Sequence, residues 1–118
     1  MRMKAAVWRG LSDLSIQDVP QPSPCEGEVL IKTKAVGICG TDLEIYDGRF
    51  KQSKPPLIIG HEGGGVVEAV GAGVSKLKKG DGVVVSGLLY CGQCEYCQRG
   101  QHGLCDHGPC CPRWQYSH

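Results

Sequence analysis

Four of the eight cysteines in this 118-residue chain stand close together as Cys91-x2-Cys94-x2-Cys97-x7-Cys105. Short spacings let three thiols point into one small volume, and a fourth one loop later closes a tetrahedron around a soft-tolerant ion such as Zn2+. Gly92 and Gly100 permit the tight backbone turns that this needs. Four thiolates saturate zinc and leave no position for water or substrate, so a site of this kind is structural. Bacterial ferredoxins also open with C-x2-C-x2-C, but their following C-x3-C-P pattern is missing, and so is the C-x2-C-x15–20-C-x2-C spacing of a zinc ribbon. The plain alternative is four reduced cysteines in a loop, and the clustering weighs against it.

A second constellation lies upstream. Gly37-Ile38-Cys39-Gly40-Thr41-Asp42 and Gly60-His61-Glu62 supply a thiol, a hydroxyl, two carboxylates and an imidazole at the ends of apolar segments. Each has an ordinary explanation alone: Cys39 as a small buried hydrophobe, His61 as a hydrogen-bonded loop residue, Asp42 as a helix cap, Glu62 as a solvated charge. Read together, the flanking glycines allow the backbone to bring Cys39 and His61 close enough to share an ion. Two ligands are fewer than the three that a catalytic zinc normally takes from its protein, so the set is incomplete as read from the sequence.

Composition narrows the setting for this chemistry. Thirteen Lys and Arg against twelve Asp and Glu give a net charge of +1, so there is no basic field to draw nucleic acid or an anionic membrane. No apolar run approaches the ~20 residues that span a bilayer, and the first residues meet charge and Gly10 before an export signal could form. The expectation is a soluble protein of the reducing cytoplasm, with neither nucleic acid nor membrane as partner. Clustered thiols there serve more often as metal ligands than as disulfides.

The elements that must position these residues read as short strands punctuated by glycine and proline. The 18 glycines are roughly double the average usage, so the chain turns often. Lys4 to Trp8 and Leu14 to Val19 predict a hairpin around a turn at Gly10 to Asp13. The proline-rich stretch from Gln21 to Gly27, which holds Cys25, predicts a loop. From Glu28 to Gly37 the side chains alternate, with Val29, Ile31, Thr33 and Ala35 on one face and Lys32 and Lys34 on the other, the period of a half-buried strand. Thr41 to Tyr46 predicts a short helical turn between Gly40 and Gly48. Gly64 to Val70 and Asp81 to Ser86 are two further β-prone segments. The fold class is therefore mainly β, an irregular barrel or sandwich with few short helices, followed from Gly87 to Gly108 by a lobe with almost no aliphatic core and a need for metal.

The order of these blocks carries a resemblance. Gly37-Ile38-Cys39-Gly40-Thr41-Asp42, then Pro56-Leu57-Ile58-Ile59-Gly60-His61-Glu62-Gly63-Gly64-Gly65-Val66-Val67, then Lys79-Gly80-Asp81, then the Cys91 to Cys105 lobe resemble the N-terminal half of zinc-dependent medium-chain alcohol dehydrogenases over about Lys4 to Cys105. The resemblance implies a GroES-like β-barrel catalytic domain over 1–108 with two zinc sites. It implies that Cys39 and His61 are catalytic-zinc ligands, that Thr41 relays the alcohol proton, and that Asp42 orients the zinc histidine. It further implies that Glu62 is the acidic neighbour able to approach the zinc, and that Cys91, Cys94, Cys97 and Cys105 hold the structural zinc. The family's reaction is zinc-assisted hydride transfer from an alcohol or polyol to NAD(P)+.

The cofactor half of that reaction has no counterpart in these residues. Gly71-Ala72-Gly73-Val74-Ser75-Lys76 has lysine where G-x-G-x-x-G needs its third glycine, and no helix follows it. The family's third catalytic-zinc ligand also lies downstream of the cysteine lobe, a gap for Glu62 or a water to fill as metal ligand beside Cys39 and His61. The expectation is a catalytic-domain fragment unable to turn over alone, with a divergent, unstructured tail over 109–118 that includes Cys110 and Cys111. Two other readings stand beside it: a zinc-binding or protein-interaction module without dehydrogenase activity, and a co-chaperonin-like ring subunit, which leaves the metal ligands unexplained.

Overall fold

The computed structural model describes residues 1–88 and 90–107. They divide into two compact units, Met1–Val85 and a second that begins at Ser86. The expectation for the tail, including Cys110 and Cys111, lies outside the described residues.

The first unit is built on six strands and one helix. Strands β1 (Arg2–Gly10) and β2 (Asp13–Pro20) form the expected hairpin, paired antiparallel from Arg2↔Pro20 to Gly10↔Asp13. Its turn uses two unusual backbone conformations, Gly10 at φ 149° and Ser12 at φ 55°. Strand β3 (Val29–Gly37) pairs antiparallel with β5 (Glu62–Val70), which in turn pairs with the short β6 (Gly82–Val84). A two-residue strand, β4 (Leu57–Ile58), pairs with β1 through Val7↔Ile58 and Trp8↔Leu57. The result is two three-stranded sheets, ordered β2-β1-β4 and β3-β5-β6. The loop over 21–27 contains neither helix nor strand, as its prolines require.

Helix α1 (Gly40–Tyr46) occupies the predicted place and is held at both ends. At its start the Cys39 amide donates to Asp42 Oδ2 at 3.0 Å, satisfying a donor that the helix cannot. At its end Gly48, at φ 66°, donates to the Ile45 carbonyl at 2.9 Å. Asp42 and Ile45, three residues apart on one face, are the helix's buried side chains. They share the interior with Ala5, Val7 and Trp8 of β1 and with Val67 of β5, the most deeply buried of these at 1% exposure.

The alternation expected of β3 fails in its second half. Val29, Leu30 and Ile31 are half-buried, whereas Thr33 and Ala35, expected on the same face as Val29 and Ile31, are exposed. Two register shifts interrupt the β3–β5 ladder, one between Leu30 and Ile31 and one between Thr33 and Ala35, and all residues from Lys32 to Gly37 are exposed. The partners of Thr33, Ala35 and Val36 are Gly65, Gly64 and Gly63, which have no side chains to cover them.

Among its described residues the second unit has little regular structure: helix α2 (Glu95–Gln98) and a 3-10 turn at His102–Leu104. Its one buried apolar residue among those described is Cys97. Among the described residues no hydrophobic core replaces the metal that the sequence led one to expect there.

Candidate metal centres

The β3–β5 register makes the first centre. Gly37 pairs with Glu62 at the last step of the ladder, so the residues just past β3 and just before β5 emerge at one end of the sheet. Cys39 lies at the N-terminus of α1 and His61 directly precedes β5. Gly60, at φ 106°, supplies the left-handed backbone that turns the chain from β4 into His61. Ile59 donates to the Ala6 carbonyl at 3.2 Å, which ties this approach to β1. The Cys39 sulfur and His61 Nε2 then lie 3.3 Å apart, from positions 22 residues apart in the chain.

Asp42 stands behind this pair. It is 5% exposed, and its two oxygens face different ways. Oδ2 accepts the Cys39 amide, and Oδ1 lies 3.8 Å from His61 Nδ1. That distance is too long for a hydrogen bond, and Oδ1 has no hydrogen-bond partner. A buried carboxylate oxygen left unpaired is costly, and a ring nitrogen that carries a proton satisfies it with a small rotation. Metal ligation at Nε2 fixes that tautomer, with the proton on Nδ1. The donor set therefore fits a metal: Cys39, Asp42 and His61 offer ligand atoms all within 4.8 Å of one another.

Of the remaining predicted residues, Thr41 is half-buried in the first turn of α1, next to Asp42. Glu62 is exposed and does not join that group of three; its Oε2 lies against the backbone of Gly37, its partner across the ladder.

The second centre gathers all four predicted thiols, with ligand atoms within 4.8 Å of one another. Gly92, at φ 73°, folds the chain so that the amides of Gln93 and Cys94 point at the Cys91 sulfur, at 3.4 and 3.3 Å. Cys94 caps α2, Cys97 sits within it, and Gly100, at φ 74°, turns the chain toward the 3-10 turn and Cys105. The Cys91 amide donates to the Cys105 sulfur at 3.3 Å. Four thiolates about 2.3 Å from a tetrahedral ion stand about 3.8 Å apart. The Cys91–Cys97 and Cys94–Cys105 sulfur separations are 3.9 and 4.0 Å. This geometry, too, fits a metal.

The thiols do not ionise alike. Amide donation from Gln93 and then Cys94 holds the Cys91 thiol down at about 6. Amides of Cys97 and Asp106 lower Cys94. Burial pushes Cys97 up to about 12. Sequence reasoning did not find the aromatic pair beside this centre: Tyr90 and His102 stack with ring centroids 3.8 Å apart and planes 3° from parallel. The signal was only their placement, one residue before the first ligand and three before the last.

Comparison with known proteins supplies the family. Residues 25–115 match the model of the alcohol dehydrogenase GroES-like domain. This chain belongs to that family. It is 45% identical to an NDMA-dependent alcohol dehydrogenase of Amycolatopsis methanolica over 92% of its own residues and 29% of the relative's. To the sorbitol dehydrogenase of Bacillus subtilis it is 44% identical over 87% of its residues and 30% of the relative's. Among solved structures, a cobalt- and zinc-bound thermostable alcohol dehydrogenase from Pyrobaculum aerophilum matches with a TM-score of 0.81 and 40% identity, over 90% of this chain and 33% of that one. The structure of AibC matches with a TM-score of 0.85 and 34% identity, over 91% and 31%. The chain thus spans less than a third of the length of the curated relatives described. The GroES-like fold, mostly strands with few short helices and a cysteine cluster, is the one that the sequence resemblance implied.

Proposed function

We propose that these residues form the metal-binding catalytic part of a zinc-dependent alcohol or polyol dehydrogenase. The observation that carries this is the convergence of the Cys39 sulfur and His61 Nε2 to 3.3 Å, with the Asp42 carboxylate behind the ring. Cys39 and His61 hold a catalytic zinc, and Cys91, Cys94, Cys97 and Cys105 hold a structural one. When bound, a zinc with an open position supplies Lewis-acid polarisation that brings an alcohol's pKa toward neutrality. The protein's own groups do the rest. Asp42 holds the proton on His61 Nδ1 so that Nε2 is presented as a donor. Thr41, in the same helical turn, offers a hydroxyl that passes a proton from an alcohol to solvent. Glu62 adds negative charge beside the pair. The hydride acceptor is NAD(P)+, for which these 118 residues show no G-x-G-x-x-G fingerprint.

Cobalt substitution tests the reading without a cofactor. Co2+ at a Cys–His centre with an open position gives a visible spectrum that changes when a primary alcohol or a polyol is added, and the four-thiolate centre, already saturated, gives one that does not. A chain whose cobalt spectrum ignores every alcohol would contradict the proposal and favour a purely structural, metal-stapled module.

A further inference from the structure

Gly37 ends β3 two residues before Cys39, and its backbone is not in the left-handed region that favours glycine. Any residue could adopt its conformation. What glycine provides here is space. A Cβ built at position 37 would meet Glu62 Oε2 at 2.9 Å and Glu62 Cβ at 3.4 Å. Gly37 and Glu62 are partners in the β3–β5 register, the last pair before the ladder opens into the Cys39–His61 centre. The carboxylate therefore rests in the place that a side chain at 37 would fill.

We infer that Gly37 is a positioning residue for the metal centre: its missing side chain forms a slot that seats the Glu62 carboxylate beside Cys39 and His61. This rests on the proposal that the pair holds a metal. The slot has a physical rationale. Glu62 is exposed, so nothing on its solvent side confines it, and the β3 backbone is the surface against which its charge can settle near a dication. A methyl group at 37 closes the slot and sends the carboxylate outward into solvent. The obstructed atom is the free end of a flexible side chain, so the substitution costs the strand little.

The test is a double-mutant cycle on Co2+ affinity in the 118-residue chain, with Cys39→Ser identifying the signal of this centre. Gly37→Ala and Glu62→Gln should each weaken Co2+ binding about five-fold, through the displaced or deleted charge. The double variant should bind no more weakly than Glu62→Gln alone, because a neutral amide in the wrong place changes nothing further. Additive losses, tighter binding by Gly37→Ala, or no effect of Gly37→Ala would overturn the slot while leaving the metal reading intact. A wild-type chain with no cobalt signal sensitive to Cys39→Ser would overturn both. Thermal melting gives a readout that needs no metal. Any loss of Tm in Gly37→Ala should be restored by Glu62→Ala, which removes the obstructed side chain. A loss that persists in that pair would place the obstruction in the backbone and overturn the assignment.

Discussion

At the scale of single residues, Asp42 shows how one side chain serves fold and site together. Oδ2 caps α1 through the Cys39 amide, and Oδ1 faces His61 Nδ1. From the sequence, a cap and an orienting carboxylate were alternatives; in the structure they are two oxygens of one group. Asp42→Asn keeps the shape and loses the charge, so it should weaken metal at the Cys39–His61 centre about 10–100-fold, as removal of such outer partners does. Competition titration against a chelator of known affinity measures this. The thiols of the other centre make a second prediction. Cys91, held at about 6, favours the folded lobe fully above its ordinary value of 9.0, and that contribution disappears as pH falls through about 6. Cys97, raised to about 12, works in the opposite sense: burial of its neutral thiol contributes fully below 9.0 and loses that contribution as pH rises through about 12, unless a metal displaces the proton. Zinc binding to the reduced, metal-stripped chain, whose lobe is unfolded, should release close to four protons at about pH 7.5, because thiols outside the folded lobe are mostly protonated there. At about pH 5.5 the count should stay near four while affinity falls. Calorimetry in buffers of different ionisation heat reads both. None of this ionisation pattern was legible in the sequence, because it depends on which amides face which sulfur.

At the scale of elements, the site is a product of strand register. The Gly37↔Glu62 pair sets Cys39 beside His61, and β4 delivers the chain to Gly60. Gly60→Ala should therefore do two things. A Cβ there would stand 2.9 Å from Val36 Cγ1, on a backbone at φ 106° that L-residues rarely adopt, so stability should fall by about 1–2 kcal/mol or more. The shift of His61 should also lower metal occupancy of this centre without emptying the cysteine centre. Denaturant melting and metal analysis separate the two effects. The hairpin, the loop after it and α1 were legible because period, proline and glycine speak locally. The exposure of β3 past Ile31 was not legible, because it follows from the glycines of the partner strand, which a single strand's alternation cannot reveal. β4 passed unseen as a strand, since two residues are too few to show a period.

At the scale of the whole molecule, the two units are stabilised differently. Met1–Val85 holds Ala5, Val7, Trp8, Ile45 and Val67 in its interior, while the described part of the second unit buries Cys97 alone among its apolar residues. Stripping metal with a chelator should therefore unfold the second unit's α2 and 3-10 turn and leave the strands of the first intact. Circular dichroism and amide exchange resolved by residue would show protection lost after Ser86 and kept before Val85. The resemblance carried the fold at this scale, since four ordered motifs are far more specific than any one of them. Substrate identity was not legible, and the chain covers only 29–30% of the relatives compared, too little for their names to be transferred.

The central claim is that one chain holds two metals for two purposes, and counting them tests it most directly. Native mass spectrometry of the freshly purified protein should show two zinc ions on the wild type, one at each group of ligands. It should show one zinc and an intact fold for His61→Ala, whereas Cys97→Ser should lose metal from the lobe together with the lobe's structure. A single zinc on the wild type, or two retained by His61→Ala, would contradict the account.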